Sequence, residues 1–434
     1  MRPRRFCLVT SAHVSNNPRL VREADALLEA GQEVRVVSVE ISAEAAERDR
    51  ALLAGRGWAP ATVRALRSGD GSASRRWLRR AVEQWAARAV ASHVAAPAAL
   101  RERALSRFGA DLAALAAARP ADVVVAHNPQ ALPAAARAAR RLGARLAFDV
   151  EDLHTADFTD PAAHLAEIAL IGWAERTVLP RCATLTAASA GIADAVAALY
   201  QVPRPAVVLN AFPLADRERR PTVARERRGD VPSLYWFSQT VGPDRGLEEA
   251  VRALGLLGVP AELHLRGAAP AAYREALTAL AAAVWPAGAV RFWPPAPADE
   301  MVALAAEHDV GLALEQPVSR NRQICVTNKI LAYLAAGVAV AATDTEGQRG
   351  VLAEAPGAGF AYAPGDVRAL AEGLRPLLTD PAALRAARRS ARRAAEERFS
   401  WDRERDALLR AHGVPVAARP GTAQHERALP VAPR

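Results

Sequence analysis

Short apolar runs alternate along the chain with amphipathic segments that have a helical period. In the first half, the runs that predict buried strands lie at 5–10, 33–39, 121–127, 144–152, 182–189 and 206–212. A helix is predicted over 20–30, and Gly31 after it suits the left-handed conformation that often ends a helix. Strands that alternate with helices indicate a parallel sheet covered by helices on both faces.

The segment 213–232 interrupts this rhythm, because it is charged, contains prolines and has few large apolar residues, as linkers do. The alternation then restarts with predicted strands at 233–239, 261–267, 289–294, 309–315 and 338–344. The predicted helices of this half are 246–257, 271–284, 298–307, 329–336 and 367–378, with a last helix in 400–413.

Two α/β units of similar size are therefore predicted on either side of a linker. Ligands of such units bind beyond the carboxyl ends of the strands, near the points where the strand order reverses. We expect the functional site in a cleft between the two units, and we expect the cleft to close on binding.

Composition limits the range of partners. The 434 residues carry a net charge of +9, which favours nucleotides, phosphorylated acceptors, acidic lipid or nucleic acid, although a general arginine bias accounts for the charge equally well. Aromatic residues make up only 5% of the chain, which argues against nucleic-acid binding. Cys7, Cys182 and Cys325 are odd in number and far apart, so we expect a reducing cytoplasm, no disulfide framework and no zinc site. No secretory signal or membrane-spanning run is predicted.

Lys329 is the only lysine in the chain. It lies in the first turn of the predicted helix in VTNKILAYLAAG, with Thr327 or Asn328 as the N-cap and Ile330 following it. Free backbone N–H groups and the helix dipole favour an anion at this end. The sequence alone is equally consistent with an ordinary exposed lysine.

A second cation follows the strand at 233–239. The loop there offers hydroxyl and amide groups at Ser238, Gln239 and Thr240, and the segment GPDRG contains Arg245 before the next helix. Gly242 and Gly246 would let the backbone approach a ligand closely. The pattern is typical of phosphate-binding loops, but a simple turn with a solvated arginine is equally compatible with it.

Motifs in the second half come in the order SQTVGPDRGLEEAV, ELHLRG, DVGLALE, TNKILAYLAAGVAVAATD and SWDRERDALL. Those in the first half are NNPRLVREADALLEAGQEVRVV, VVVAHNPQALPAA and VLNAF. Over about residues 5–412 this series resembles the group 1 (family 4) retaining glycosyltransferases. The resemblance implies an α/β protein of GT-B architecture, with two doubly wound Rossmann-like domains that face an interdomain cleft. The implied divisions are an acceptor-side domain 1–212, a linker 213–232, a nucleotide-sugar-binding domain 233–395, a crossover helix 396–413 and a disordered tail 414–434.

The resemblance also assigns residues. His127, Arg245 and Lys329 would be catalytic: the two cations would hold the diphosphate of a sugar nucleotide, and His127 would reach the transferred sugar or its phosphate. The implied donor-binding set is Ser238, Gln239, Thr240, Gly242, Arg245, Arg266, Gly267, Phe292, Thr327, Asn328, Lys329 and Ile330. The implied acceptor-side set is Asn16, Asn17, Arg19, Asn128, Asp149, Glu151 and Asp152.

Several of these residues have simpler alternatives. His127 could be a strand-end histidine bonded to backbone, and 16–19 could be a plain turn. The acidic run 149–152 could belong to a helix start, and Glu151 stands where histidine is usual in the family. Many members also carry two glutamates eight positions apart, but Ile324 and Ala332 occupy those positions here. Glu315 or Glu346 could take over the contact with ribose.

The function implied is transfer of a sugar from a UDP-sugar or GDP-sugar to an alcohol acceptor, with retention, without metal or other cofactor, in polysaccharide, glycolipid or glycoconjugate synthesis. The alternatives are a sugar-nucleotide 2-epimerase on the same fold and an inactive scaffold that only binds.

Residues 74–93 form a separate feature. Trp77, Leu78, Val82, Trp85 and Val90 fall near one face of a predicted helix that also carries several arginines. This composition fits a helix lying on an anionic membrane and equally fits a helix that packs on its own domain. In the first case, a cytoplasmic protein would be peripheral on the inner face of the membrane, and a lipid-linked acceptor would be plausible.

Overall fold

The computed structural model describes residues 2–64, 71–93, 96–218 and 231–416. Within these residues the first half contains seven strands: β1 (Arg5–Thr10), β2 (Glu33–Glu40), β3 (Ala59–Arg64), β4 (Val123–His127), β5 (Arg145–Val150), β6 (Thr184–Ala187) and β7 (Ala206–Val207). They form one parallel sheet in the order β3-β2-β1-β4-β5-β6-β7. The strand order reverses between β1 and β4.

The described part of the second half forms a parallel sheet of six strands: β8 (Ser233–Thr240), β9 (Glu262–Ala268), β10 (Ala289–Trp293), β11 (Val310–Ala313), β12 (Ala339–Thr343) and β13 (Gly359–Tyr362). Their order is β10-β9-β8-β11-β12-β13, so this sheet reverses between β8 and β11. The predicted α/β class with two doubly wound units is confirmed.

Helices cover both sheets. Those of the first half are α1 (Pro18–Glu29), α2 (Ala43–Leu53), α3 (Gly71–His93), α4 (Ala98–Leu105), α5 (Gly109–Ala116), α6 (Leu132–Leu142), α7 (Leu165–Val178) and α8 (Ala190–Tyr200). Those that follow are α9 (Leu247–Leu257), α10 (Ala271–Val284), α11 (Met301–Ala306), α12 (Arg320–Ile324), α13 (Asn328–Ala336), α14 (Glu346–Glu354), α15 (Val367–Thr379), α16 (Pro381–Glu397) and α17 (Trp401–Ala411). Gly31 follows α1 with φ +74°, the conformation expected for it.

The last helix returns to the first half. Leu409 of α17 and Val414 beyond it pack in the core that contains Phe6 and Leu20. Glu404 of α17 accepts a hydrogen bond from the backbone N–H of Leu209 at 2.7 Å. Residues 414–416, which the sequence analysis assigned to a disordered tail, therefore continue the packed chain, whereas 417–434 and most of the linker, 219–230, lie outside the described residues.

The segment 319–325, here called the clasp, belongs to the second half but is embedded in the first. Asn321 is fully buried, and its side chain accepts a hydrogen bond from Leu153 N and donates to Asp152 and Asp157, each at 2.8 Å. Ile324 lies in the core of the first half, and its carbonyl accepts a hydrogen bond from Ser189 Oγ at 2.8 Å. The clasp therefore sets how the two sheets face each other.

Gly191→Ala tests this contact. A Cβ at Gly191 in α8 would lie 2.7 Å from Ile324 Cβ, so we expect the substitution to destabilise the protein by about 1–3 kcal/mol. The control is Gly350→Ala in α14, where a Cβ meets nothing within 4 Å and alanine should stabilise the helix by about 0.5–1 kcal/mol. The measurement is the urea midpoint of unfolding. Equal midpoints for the two variants would contradict the proposed importance of the contact.

Candidate functional site

A cavity of about 620 Å³ opens between the two halves at the carboxyl ends of β8 and β11. The first half contributes Asp157 and Thr159. The second half contributes Trp236, Pro243, Asp244, Arg245, Leu314, Glu315, Gln316, Val318, Arg322 and Lys329. Its position beside the reversal of strand order matches the expected location of a ligand site in this class of fold.

Lys329 reaches this cavity from the first turn of α13. Thr327 is the N-cap by backbone conformation, but its side chain caps no N–H group, and its buried Oγ1 has no hydrogen-bond partner among the described residues. Lys329 Nζ donates to Glu315 Oε1 at 2.5 Å and lies 5.4 Å from the centre of the Trp236 ring. With only 12% of its side chain exposed, Lys329 is not the ordinary surface lysine of the alternative interpretation.

Arg245 reaches the same cavity from the loop between β8 and α9. Asp244 and Gly246 on either side of it have φ +59° and +72°. A Cβ on Gly246 would lie 2.9 Å from Leu314 Cβ, so the loop presses against the end of β11. Gly246 therefore permits close contact with the protein itself, where the sequence predicts close approach of a ligand, and its neighbour Arg245 lines the cavity.

The other predicted donor residues do not line the cavity. Arg266 is buried and donates to Tyr235 OH and to Pro294 O, both at 3.0 Å. Gly267 has φ +148°, and a Cβ there would meet Ser238 O at 2.4 Å. These two residues shape the end of β9. The remaining predicted residues that are absent from the cavity lining are Ser238, Gln239, Thr240, Gly242, Phe292, Thr327, Asn328 and Ile330.

Ile324 and Ala332, which occupy the positions where many members of the family have glutamates, are both buried. Ile324 belongs to the clasp, and Ala332 is fully buried in α13. Of the two suggested replacements, Glu346 pairs with Arg320, and only Glu315 lines the cavity. Burial by itself would raise the pKa of Glu315, but the charges of Lys329, Arg322 and Arg245 lower it below its ordinary value.

His127 lies elsewhere, in a buried set of charges at the end of β4, here called the ionic cluster: Arg19, Glu23, His127, Asp149 and His412. The Nε2 atom of His127 lies 2.9 Å from Glu23 Oε2, although the two groups are not aligned for a hydrogen bond. The Nδ1 atom of His127 lies 3.6 Å from Asp149 Oδ2. Arg19 donates from Nε and Nη2 to both oxygens of Asp149, each at 2.7 Å. His412, beyond α17, contacts Glu23 Oε1 at 2.7 Å.

The charges of this cluster stabilise one another. Burial alone would lower the pKa of His127, but Glu23, with a smaller contribution from Asp149, raises it above its ordinary value. Burial alone would raise the pKa of Asp149, but Arg19 lowers it. His127 is 2% exposed and does not line the cavity, so the structure does not bring it together with Arg245 and Lys329 as the sequence analysis expected.

The other acceptor-side residues mostly have local roles. Asn17 Oδ1 caps α1 by accepting from Leu20 N at 3.0 Å. Asn128 has φ +66°, and its side chain donates to Thr10 Oγ1 and accepts from Ser11 Oγ. Asp152 accepts from Asn321 in the clasp. Asn16 is exposed, and Glu151 is half-buried with a pKa raised mainly by burial.

Residues that the sequence analysis did not assign to the site complete the cavity. Asp157 and Thr159 follow β5 without a recognisable motif, and Arg322 lies in the clasp. Trp236 lies in an apolar run that predicts a buried strand, and in the structure it is indeed buried in β8 as well as lining the cavity. Only their arrangement in space identifies them as cavity residues.

Two family models match the chain. The model described as a glycosyl transferase 4-like domain matches residues 17–212, and the one described as glycosyl transferase-like matches residues 247–410. Together they span both halves around the cavity. The chain belongs to the group 1 glycosyltransferases. No curated protein is significantly similar to this glycosyltransferase in sequence.

Solved structures share its fold. HepE of Anabaena, in complex with UDP and glucose, aligns with a TM-score of 0.65 at 14% identity over 94% of this chain and 99% of HepE. A UDP-forming α,α-trehalose-phosphate synthase from Burkholderia xenovorans aligns with a TM-score of 0.63 at 15% identity over 96% and 100% of the two chains. A sucrose-phosphate synthase from Thermosynechococcus elongatus aligns with a TM-score of 0.63 at 14% identity over 94% and 98% of the two chains. The predicted GT-B fold of the glycosyltransferase is thus confirmed.

The ionic cluster generates a prediction about pH. Because the pKa of His127 is raised in the folded state, its pairing with Glu23 stabilises the fold fully below the unfolded pKa of about 6.5 and is lost as pH rises through the folded value. We therefore expect His127→Asn to lower the urea midpoint more at pH 6 than at pH 9. His164→Asn, at a histidine whose side chain is 47% exposed, is the control. An equal loss at both pH values would contradict a stabilising pairing of His127 with Glu23.

Proposed function

We propose that this glycosyltransferase moves a sugar from a nucleoside-diphosphate sugar to an alcohol acceptor with retention of configuration. The observation that carries the proposal is that Arg245, from the loop before α9, and Lys329, from the first turn of α13, line one cavity that both halves enclose. A diphosphate is a ligand that two cations at the strand ends would suit, since charge-assisted contacts each contribute roughly 1.5–3 kcal/mol.

In the proposed reaction the bond between the sugar and the diphosphate breaks as negative charge develops on the leaving phosphate. Arg245, Lys329 and the N-terminal end of α13 would stabilise that charge, so side chains and helix N–H groups take the part that other enzymes give to a metal. The acceptor hydroxyl would attack from the face that the diphosphate leaves, through an oxocarbenium-like state, and its proton would pass to the departing diphosphate oxygen. His127 would act by positioning the end of β4, because it is buried in the ionic cluster.

The fold relatives favour UDP as the nucleoside diphosphate. HepE is described in complex with UDP-glucose, and the trehalose-phosphate synthase is UDP-forming. We extend this preference to the present chain and propose an acceptor on a glycan or lipid, in polysaccharide or glycolipid synthesis. GDP is the alternative nucleoside diphosphate, and titrations of the protein with UDP and with GDP would compare the two affinities.

Lys329→Ala and Arg245→Ala test the proposal. Each removes one phosphate contact, so we expect UDP binding to weaken by about tenfold or more and sugar transfer to be lost, with an unchanged circular dichroism spectrum. Arg349→Ala, at an exposed arginine that pairs with Asp344 in the same half, is the control and should behave like the wild type. The measurements are UDP calorimetry and a donor-hydrolysis screen across nucleotide sugars. Full activity of both cavity variants would refute the proposal.

A nucleotide-binding scaffold without turnover is the second candidate. The observation in its favour is that buried Ile324 and Ala332 stand where many members of the family have glutamates. UDP binding together with no hydrolysis or transfer of any nucleotide sugar would support the scaffold over the enzyme.

We also propose that α3 lies on an anionic membrane surface. Ala87 on one face of α3 is buried with Ala104 and Leu170, whereas the stripe formed by Leu78, Val82 and Trp85 points outward with 58%, 55% and 73% exposure. The face of α3 that packs on the rest of the protein thus carries small residues. The apolar stripe is exposed to solvent, next to the exposed Arg79. Trp77 lies among residues whose side chains are not described. No helix among the described residues has the length and apolarity to cross a bilayer.

The membrane proposal predicts the behaviour of two matched double variants. Leu78→Glu with Trp85→Glu should abolish co-sedimentation with vesicles that contain anionic lipid, because it places charges in the apolar stripe. Leu199→Glu with Leu256→Glu changes the net charge equally at two exposed leucines elsewhere and should leave co-sedimentation intact. If the wild type does not sediment with these vesicles, or if both double variants lose binding equally, the proposal is wrong.

A further inference from the structure

Glu315 lies among the cations of the cavity. Its carboxylate accepts a hydrogen bond from Lys329 Nζ at 2.5 Å, and its side chain is only 9% exposed. Arg322 and Arg245 also act on its charge, and both line the same cavity. The carboxylate therefore contacts Lys329 and lies in the field of two guanidinium groups. A phosphate group would be expected to bind these same cations.

The backbone of Glu315 is held firmly. The Thr343 hydroxyl at the end of β12 donates to Glu315 O at 2.7 Å, and Gln348 Nε2 donates to Thr343 Oγ1 at 2.8 Å. Thr343 and Gln348 are both fully buried. A change in the contact with Lys329 therefore needs rotation of a side chain, that of Glu315 or of Lys329, rather than movement of the strand end.

The charges that line the cavity cancel. Arg245, Arg322 and Lys329 are balanced by three carboxylates, Asp157, Asp244 and Glu315. Of the three, Glu315 makes the contact with Lys329, while Asp157 accepts from Asn321 and lies 3.7 Å from Arg322. An anion that binds Lys329 would lie next to the carboxylate of Glu315, and the two like charges would repel each other and compete for the same ammonium.

We infer that Glu315 is an internal competitor of the donor's diphosphate for Lys329. This inference rests on the proposed function and adds a residue that adjusts the affinity of the cavity for the diphosphate. The diphosphate displaces the carboxylate when the donor binds, and the carboxylate returns to Lys329 after transfer and so promotes release of the nucleoside diphosphate. Glu315 is thus a positioning residue that acts through Lys329, and it is not a replacement for the ribose-binding glutamate.

The experiment compares the full-length wild type with Glu315→Gln, using UDP and inorganic pyrophosphate as probes in calorimetry. We expect Glu315→Gln to bind both probes about tenfold more tightly or better, because the competing charge is gone. Turnover should fall, and inhibition by UDP should strengthen in parallel. Glu354→Gln, which removes a carboxylate paired with Arg398 outside the cavity, is the matched control and should match the wild type.

The probes separate the possible failures. If UDP alone binds more weakly to Glu315→Gln, the carboxylate contacts the nucleoside and the inference is overturned; unchanged affinity for both probes overturns it as well. If neither protein binds either probe, the proposed function fails together with the inference. Should Glu315→Gln not fold, Glu315→Asp keeps the charge on a shorter side chain, and an unchanged affinity for pyrophosphate in that variant would also overturn the inference.

Discussion

The clasp is the contact on which the cavity depends. A single amide, that of Asn321, makes three hydrogen bonds to the first half, and Ile324 extends that half's core. A buried amide with all these partners is expensive to separate, because each group left unpaired would carry a desolvation penalty of about 1–3 kcal/mol. The clasp leads within a few residues into α13, so the contact that joins the halves also fixes the helix that presents Lys329.

This arrangement links domain position to the charges of the cavity. Asp157 contacts both Asn321 of the clasp and Arg322, which lines the cavity beside it. A movement of the first half would therefore directly change the electrostatic surroundings of Arg322. Closure of such a cleft would bring Asp157 and Thr159 towards a bound donor, whereas opening would require the amide of Asn321 to leave two carboxylates.

The alternation of apolar runs and helical segments was sufficient to predict most strands and the two doubly wound units. The edge strands β3 and β13 are not predicted from the sequence, because neither has a continuous run of buried apolar residues: Ala59 and Pro60 in β3 and Ala361 in β13 are exposed. In the cavity, Arg245 and Lys329 could be predicted because each lies next to a strand end or helix start. Asp157, Thr159 and Arg322 could not, since their proximity arises from the clasp and from long-range packing that no local pattern records.

His127 shows why residue type alone is a weak guide to chemistry. The end of a parallel strand next to a reversal point is where a catalytic histidine would be expected, and His127 occupies that place on β4. Its neighbours decide otherwise: Glu23 from α1 and Asp149 from β5 enclose it, and α17 brings His412 to the same glutamate. His127 thus connects the sheet, the first helix and the returning C-terminal helix. The carboxylates that surround the imidazole raise its pKa above the ordinary value, which favours the charged form that pairs with Glu23.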